Sequence, residues 1–350
     1  MLVLFPPKAS AQNRMWQKYM LDHSAGSRPY FVYSPANYQV GTVVPLVVML
    51  HGCTQTAQEY AAGTQMNMLA DQYNFIVVYP QQENAYNQYL CWNWFDSTNQ
   101  SRGNGEPAII ARIVQAIEQD SSQWTIDRRR IYVAGLSAGA AMSVIMGATY
   151  PDIFAAIGVH SGLEYKAATA RNKVLKVSRR GGPDPLLQGQ AAYDAMGSYA
   201  RVIPTITFHG SSDYVINPIN GNQVVQQWMQ TDLLASNGVY QADFSSPGST
   251  RVEQVANGRS YTVYSWNDNN GHELQEYWKI DGMGHAWSGG NYSGTYVDPL
   301  GPNASLAMYT FFMNHPMPRP SIHGIIGHDS AFWRNLRNTL SGIFHASSIR

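Results

Sequence analysis

Between residues 28 and 210 short apolar runs alternate with longer stretches whose apolar positions recur every three or four residues. Tyr30–Tyr33, Pro45–Leu50, Phe75–Tyr79, Ile131–Ala134, Phe154–Val159 and Thr205–Phe208 read as strands. The runs at 45–50, 75–79 and 205–208 are continuously apolar or β-branched rather than alternating, as in parallel strands covered on both faces. Helical spacing falls between them, at Ala57–Tyr73, Pro107–Gln119, Ala140–Met146, Gln188–Ala200 and Asn222–Ala235. The second is the clearest, with Ile109, Ile110, Ile113, Val114 and Ile117 on one face. Strand–helix alternation predicts an α/β architecture: a doubly wound, mostly parallel sheet with right-handed crossovers and helices on both faces.

Two regions break the rhythm. Residues 163–200 form a long polar excursion that ends in a helical pattern, the place for a lid or a substrate-shaping loop. Residues 239–280 read as a β insertion, with alternation in Tyr261–Trp266 and Glu276–Ile280 on either side of the turn residues Asn267–Gly271. Pro316, Pro318 and Pro320 end the pattern, so residues 1–320 read as a single domain. In the remaining tail, 321–350, Phe332, Trp333, Leu336, Leu340 and Phe344 fall on one stripe of an amphipathic helix.

Charge changes the picture by exclusion. Of 350 residues only 13% are charged, and 23 basic residues balance 23 acidic ones, which leaves no electrostatic footprint for nucleic acid. Arg128-Arg129-Arg130 is the densest basic run and reads as a solvated strand entry. No run approaches the ~20 apolar residues that span a bilayer. Leu2–Phe5 is too short for a signal-peptide core. The two cysteines, Cys53 and Cys91, both follow predicted strands. They are either two buried thiols or one disulfide; the latter would stabilise the fold by roughly 4 kcal/mol and imply an oxidising compartment.

The chemistry centres on Gly135-Leu136-Ser137-Ala138-Gly139, between a predicted strand and a predicted helix. That context makes it a nucleophile elbow, with Ser137 lifted out of the sheet and the Ala138 N–H at a helix N-terminus. A serine needs a base, and the base an orienting acid; in elbow folds these follow in the order Ser, acid, His. The next convincing strand runs into His209-Gly210-Ser211-Ser212-Asp213, which makes Asp213 the acid and Asp281 its main substitute. Among ten histidines, His51, His160 and His209 break that order, and His272 sits in a hairpin. His285, in the small-residue loop Gly282–Gly290, is the base. A second oxyanion donor is expected from the loop Leu50-His51-Gly52-Cys53-Thr54, at the Cys53 N–H. His272-Glu273-Leu274-Gln275-Glu276 lacks the second histidine of a zinc helix, and Ser101–Gly105 lacks dinucleotide spacing. No metal and no cofactor is implied.

His51-Gly52-Cys53-Thr54-Gln55, Cys91-Trp92-Asn93-Trp94-Phe95, Gly135–Ala140 and Gly284-His285-Ala286-Trp287-Ser288-Gly289, in that order, resemble the polyhydroxybutyrate depolymerase family of esterases in the α/β-hydrolase superfamily. The resemblance covers roughly residues 28–315. It implies Ser137, Asp213 and His285 as the triad, Cys53 and Ala138 as oxyanion donors, and a Cys53–Cys91 disulfide. It further implies hydrolysis of an ester, small or polymeric, through an acyl-enzyme, with short-chain hydroxyalkanoate esters first and feruloyl or acetylxylan esters second. A protein that binds polymer and has only incidental esterase activity is the rival of another class. Trp92, Trp94 and Trp287 flank the motif loops, either as an aromatic wall for an acyl chain or feruloyl ring or as core side chains that pin the loops. The Asn-, Gln-, Ser-, Thr- and Tyr-rich surface fits a secreted or periplasmic protein. The sequence shows no Ser/Thr-rich linker and no polymer-binding domain, which shifts the expectation away from crystalline polyester. The oligomeric state is not legible.

Overall fold

A computed structural model describes residues 15–319. The continuously apolar runs lie in the middle of a 10-stranded sheet, where both faces are covered. Central among them is β3 (Val43–Leu50), buried from Val44 onward. In spatial order β4 (Ile76–Pro80), β3, β5 (Thr125–Leu136), β6 (Ala156–His160), β7 (Thr205–Gly210) and β10 (Glu273–Ile280) run parallel. Antiparallel strands finish each edge: β2 (Arg28–Tyr33) and β1 (Trp16–Leu21) beyond β4, β9 (Ser260–Asn267) and β8 (Ser249–Gln254) beyond β10. The chain leaves β3 to one side for β4 and to the other for β5. The crevice outside the carboxyl ends of β3 and β5 is therefore the topological switch point, where ligands bind in open α/β sheets.

The helices are α1 (Ala57–Thr64), α2 (Met66–Tyr73), α3 (Gly105–Gln119), α4 (Ala138–Thr149), α5 (Val174–Arg180), α6 (Pro185–Met196), α7 (Ile219–Ala235) and α8 (Ala304–Asn314). All of α4 is buried, which explains its Ala/Gly/Met composition: small residues let it lie close to the strands. Ile109, Ile110, Ile113, Val114 and Ile117 of α3 all face the core.

Four expectations are corrected. The helix expected over Ala57–Tyr73 is two, because Gln65 takes a left-handed conformation (φ 56°) that caps α1 and restarts the chain. The strands within 239–280 are not an insertion: β10 joins the main sheet beside β7, and alternation alone cannot separate an insertion from an edge hairpin. The excursion 163–200 is largely helical, and its second half, α6, packs on α4 and α7 as a layer of the fold. Arg128–Arg130 lie inside β5 rather than before it; Arg128 pairs with Glu118 and Arg130 with Asp127. The periodicity reading also missed α8, whose Phe312 stacks on Tyr132 at 4.8 Å. One compact unit extends to Pro316, and the expected tail helix lies outside the described residues. Among the described residues no helix is long and apolar enough to cross a membrane.

Candidate active site

Every residue expected at the site follows the carboxyl end of a parallel strand. At the end of β5, Ser137 has φ 57° and ψ −118°, outside the relaxed regions for a residue with a Cβ. Its N–H donates to the His160 carbonyl (3.0 Å) and its carbonyl accepts from the Ala141 N–H (3.0 Å), so both neighbouring strand and helix hold it there. The flanking glycines serve close approach rather than left-handed backbone. A Cβ on Gly139 would stand 2.0 Å from the Leu50 carbonyl oxygen, and one on Gly135 would stand 2.3 Å from the Gly139 carbonyl carbon. The elbow thus presses against β3, and this brings Ser137 beside Gly52. The Ser137 hydroxyl makes no hydrogen bond among the described residues and is free to turn.

The loop after β3 is fixed from three sides. Gln55, fully buried, accepts from the Gly52 N–H through Oε1 (2.8 Å) and donates to the Thr295 carbonyl (3.0 Å). The Thr54 N–H donates to the Tyr89 carbonyl (2.6 Å). Cys53 is disulfide-bonded to Cys91. Behind it Glu106, buried, gathers the far loop: it accepts from the Asn93 N–H (2.6 Å), from Asn93 Nδ2 (2.8 Å) and from Gln82 Nε2 (2.5 Å), and pairs with Arg28 (3.3 Å). Burial raises the Glu106 carboxyl above its usual range, and these donors and the Arg28 charge pull against that rise. The Cys53 and Ala138 N–H groups have no acceptor among the described residues. They are the two donors expected for an oxyanion.

The acid and base loops are stitched to each other. Ser211 N–H donates to the Ile280 carbonyl (2.9 Å), Ser212 N–H to the Met283 carbonyl (3.0 Å), and Gly282 N–H to Ser211 Oγ (2.8 Å). This registers Asp213 against His285, whose Nδ1–H donates to Asp213 Oδ2 at 2.7 Å. Asp213 Oδ1 accepts from the N–H groups of Val215 and Ile216, both at 2.9 Å. Burial pushes the Asp213 carboxyl up, but the His285 hydrogen bond, the nearby imidazoles and the Ile216 N–H outweigh it and hold the group below its usual range. Asp281 takes no part in this pair.

The passed-over histidines are structural, and three of them hold the site in place. His160 Nε2 accepts from the Ser288 N–H (3.0 Å), three residues after His285, while its ring stacks on Trp287 at 5.0 Å. His51 Nε2 accepts from the Gln82 N–H (3.0 Å) and its Nδ1–H donates to the Gly52 carbonyl (2.8 Å). Burial pushes His51 down to about 4 and His160 well below the ordinary value, so both are neutral. His209 donates from Nε2 to the Ile216 carbonyl (2.8 Å), bracing the acid loop. His272 is exposed and pairs with Asp268.

The aromatic wall is not formed. Trp92, Trp94 and Trp287 are 0%, 5% and 1% exposed, so none offers a ring face to a ligand. They pin loops: Trp92 packs on His51 (5.6 Å), and Trp287 lies edge-on to Tyr60 (5.6 Å) and donates to Ser305 Oγ (3.1 Å). Sequence reasoning missed Glu106, Gln55 and His160 as positioning residues; the adjacency of Gln55 to the Cys53 loop was the one available signal.

A parallel sheet of this strand order with an elbow serine, an Asp–His pair and two free N–H groups at its carboxyl edge defines an α/β-hydrolase. The chain belongs to the esterase PHB depolymerase family, whose profile it matches over residues 29–269. It is 38% identical over 257 residues to the poly(3-hydroxyalkanoate) depolymerase C of Paucimonas lemoignei, covering 73% of this chain and 56% of that one. It is 30% identical over 260 residues to acetylxylan esterase A of Emericella nidulans, covering 70% and 80%. The chain thus spans little more than half the length of the Paucimonas relative. The solved acetyl xylan esterase from Aspergillus awamori superposes with a TM-score of 0.66 at 22% identity, over 85% of this chain and 99% of that one, which bears on the fold.

Proposed function

We propose that this chain is a serine esterase. The observation that carries the reading is the pairing of the buried Asp213 with His285, at 2.7 Å, on the strand edge that also bears the strained Ser137. His285 Nε2 takes the Ser137 hydroxyl proton as Oγ bonds the ester carbonyl carbon. The oxygen that gains charge is held by the Cys53 and Ala138 N–H groups. Collapse breaks the carbon–oxygen bond to the alcohol, which leaves with the proton from His285. Water then repeats the sequence on the acyl-enzyme and releases the acid. Asp213 keeps Nδ1 protonated, so that Nε2 presents its lone pair to the serine.

Short-chain hydroxyalkanoate esters are the first substrate class, supported by the identity to the Paucimonas depolymerase. Acetyl or feruloyl esters of polysaccharide are the second, favoured by a polar cleft walled by the loop that Cys91 ties to Cys53 and by the acetylxylan esterase relative. The disulfide supports export to an oxidising compartment. The test is a hydrolysis panel of p-nitrophenyl butyrate, hydroxybutyrate trimer, methyl ferulate and acetylated xylan, with Ser137→Ala as control. Turnover of at least one ester that vanishes in the control is expected. Adsorption to polymer with no serine-dependent turnover would instead identify a binding protein.

A further inference from the structure

An open cleft of about 600 Å³ lies between the loop that follows β4 and residues 169–171, which follow β6. The loop that forms its first wall meets the Cys53 loop, where the Thr54 N–H donates to the Tyr89 carbonyl (2.6 Å). One wall is covalently tied to the proposed oxyanion loop through Cys91. The two walls are fixed to each other by Gln100, whose Nε2 donates to both the Trp94 carbonyl (2.8 Å) and the Ala168 carbonyl (2.7 Å). The cleft is therefore built rather than incidental, and its volume sits within the roughly 300–1,000 Å³ of small-molecule sites.

Its lining has a distinct chemistry. Asn93 and Asn87 are held to each other (2.8 Å), and Asn93 is anchored to Glu106. The side chains of Asn84, Gln88 and Arg171 are exposed in the cleft and make no hydrogen bond or ion pair among the described residues. Asp96 accepts from Thr98 through Oδ1 alone, which leaves Oδ2 open. The ring of Tyr86 is backed on one face by the Arg28 guanidinium at 3.4 Å, which fixes it as a platform. Carboxamides donate and accept at once, a carboxylate only accepts, and a guanidinium only donates. A polyester chain offers carbonyl acceptors and no donor except its terminal hydroxyl, so Asp96 and half of each carboxamide would go unmatched. A polyol satisfies all of them, because every hydroxyl both donates and accepts.

We propose that this cleft is a saccharide subsite, holding sugar rings of a polysaccharide ester beside the oxyanion loop. The proposal rests on the serine esterase reading and selects the second substrate class within it. Its test is binding in the turnover-deficient Ser137→Ala protein, by titration calorimetry with xylohexaose, mannohexaose, maltohexaose and hydroxybutyrate trimer. At least one hexasaccharide should bind, and adding Asn84→Ala or Arg171→Ala should weaken it fivefold or more while the hydroxybutyrate trimer is unaffected. Both side chains are exposed, so thermal unfolding of the variants should match that of the parent. Failure of all three saccharides, unchanged affinity in both variants, or loss of the hydroxybutyrate trimer instead would each overturn the subsite. The parent reading fails separately, if the wild-type chain does not hydrolyse p-nitrophenyl acetate.

Discussion

At Ser137 the backbone is specialised as much as the side chain, and the two can be separated by mutation. Ser137→Ala should lower turnover by about 10⁴ or more with the melting temperature nearly unchanged. Ser137→Gly should be equally inactive yet more stable than Ser137→Ala by about 1 kcal/mol, because glycine has no Cβ to strain at φ 57°. Equal melting temperatures for the two variants would remove the strain argument. Asp213→Asn should cost about 10⁴ in kcat by favouring the wrong imidazole tautomer. Glu164 offers a different test: it is 2% exposed, neither carboxyl oxygen has a hydrogen-bond partner among the described residues, and burial together with Asp184 pushes its pKa up to about 8. A raised carboxyl binds its proton in the fold but not in the unfolded chain, so it lowers stability progressively as pH climbs from the ordinary carboxylate range towards 8. Glu164→Gln removes that loss. Its melting temperature should exceed wild type by several degrees more at pH 8 than at pH 5, and a pH-independent difference would show that the buried carboxyl is already charged.

Among the elements, the loops after β3 and β4 form one unit through the Cys53–Cys91 bond, a link between residues 38 apart. Reduction should destabilise the fold by about 2–4 kcal/mol. It should also lower kcat more than it raises KM, since a looser Cys53 N–H loses contact mainly with the charge of the transition state. Steady-state kinetics with and without reductant, with alkylation and intact mass to count thiols, decide both points. Where β3 meets the elbow the constraint is steric. Gly139→Ala places a Cβ 2.0 Å from a carbonyl oxygen that cannot move without displacing β3. Loss of most soluble folded protein is expected, and a Gly139→Ala variant of native stability and activity would show that the elbow is not so tightly seated. The motif itself was legible as G-x-S-x-G, but the reason for its glycines was not: neither has positive φ, Gly135 needs space because the start of α4 folds back over it, and Gly139 needs it because of Leu50 on β3, far earlier in the chain.

At the scale of the whole molecule, balanced charge leaves little for long-range steering of an uncharged ester to act on. Activity on a soluble p-nitrophenyl ester should change less than twofold between 50 and 500 mM salt, and a steep salt dependence would point to a charged substrate. The central strands were visible in the sequence because burial on both faces demands unbroken apolar runs; Asp213 was visible because it follows such a run, and His285 through the chain order of elbow folds and its small-residue loop. The same local signals misled at Gln65, where one residue in left-handed conformation divides a continuous periodic pattern, and at 239–280, where alternation is common to an insertion and a sheet edge. Trp92, Trp94 and Trp287 were ambiguous for a related reason: an indole beside a functional motif serves a ligand or a loop, and only its exposure tells which. Which strands neighbour one another, and so the seating of Glu106 behind the disulfide, the bracing of the base loop by His160 and the cleft between the loops after β4 and β6, was decided by tertiary structure alone. These depend on contacts between segments far apart in the chain, and periodicity reports only on a residue's own element.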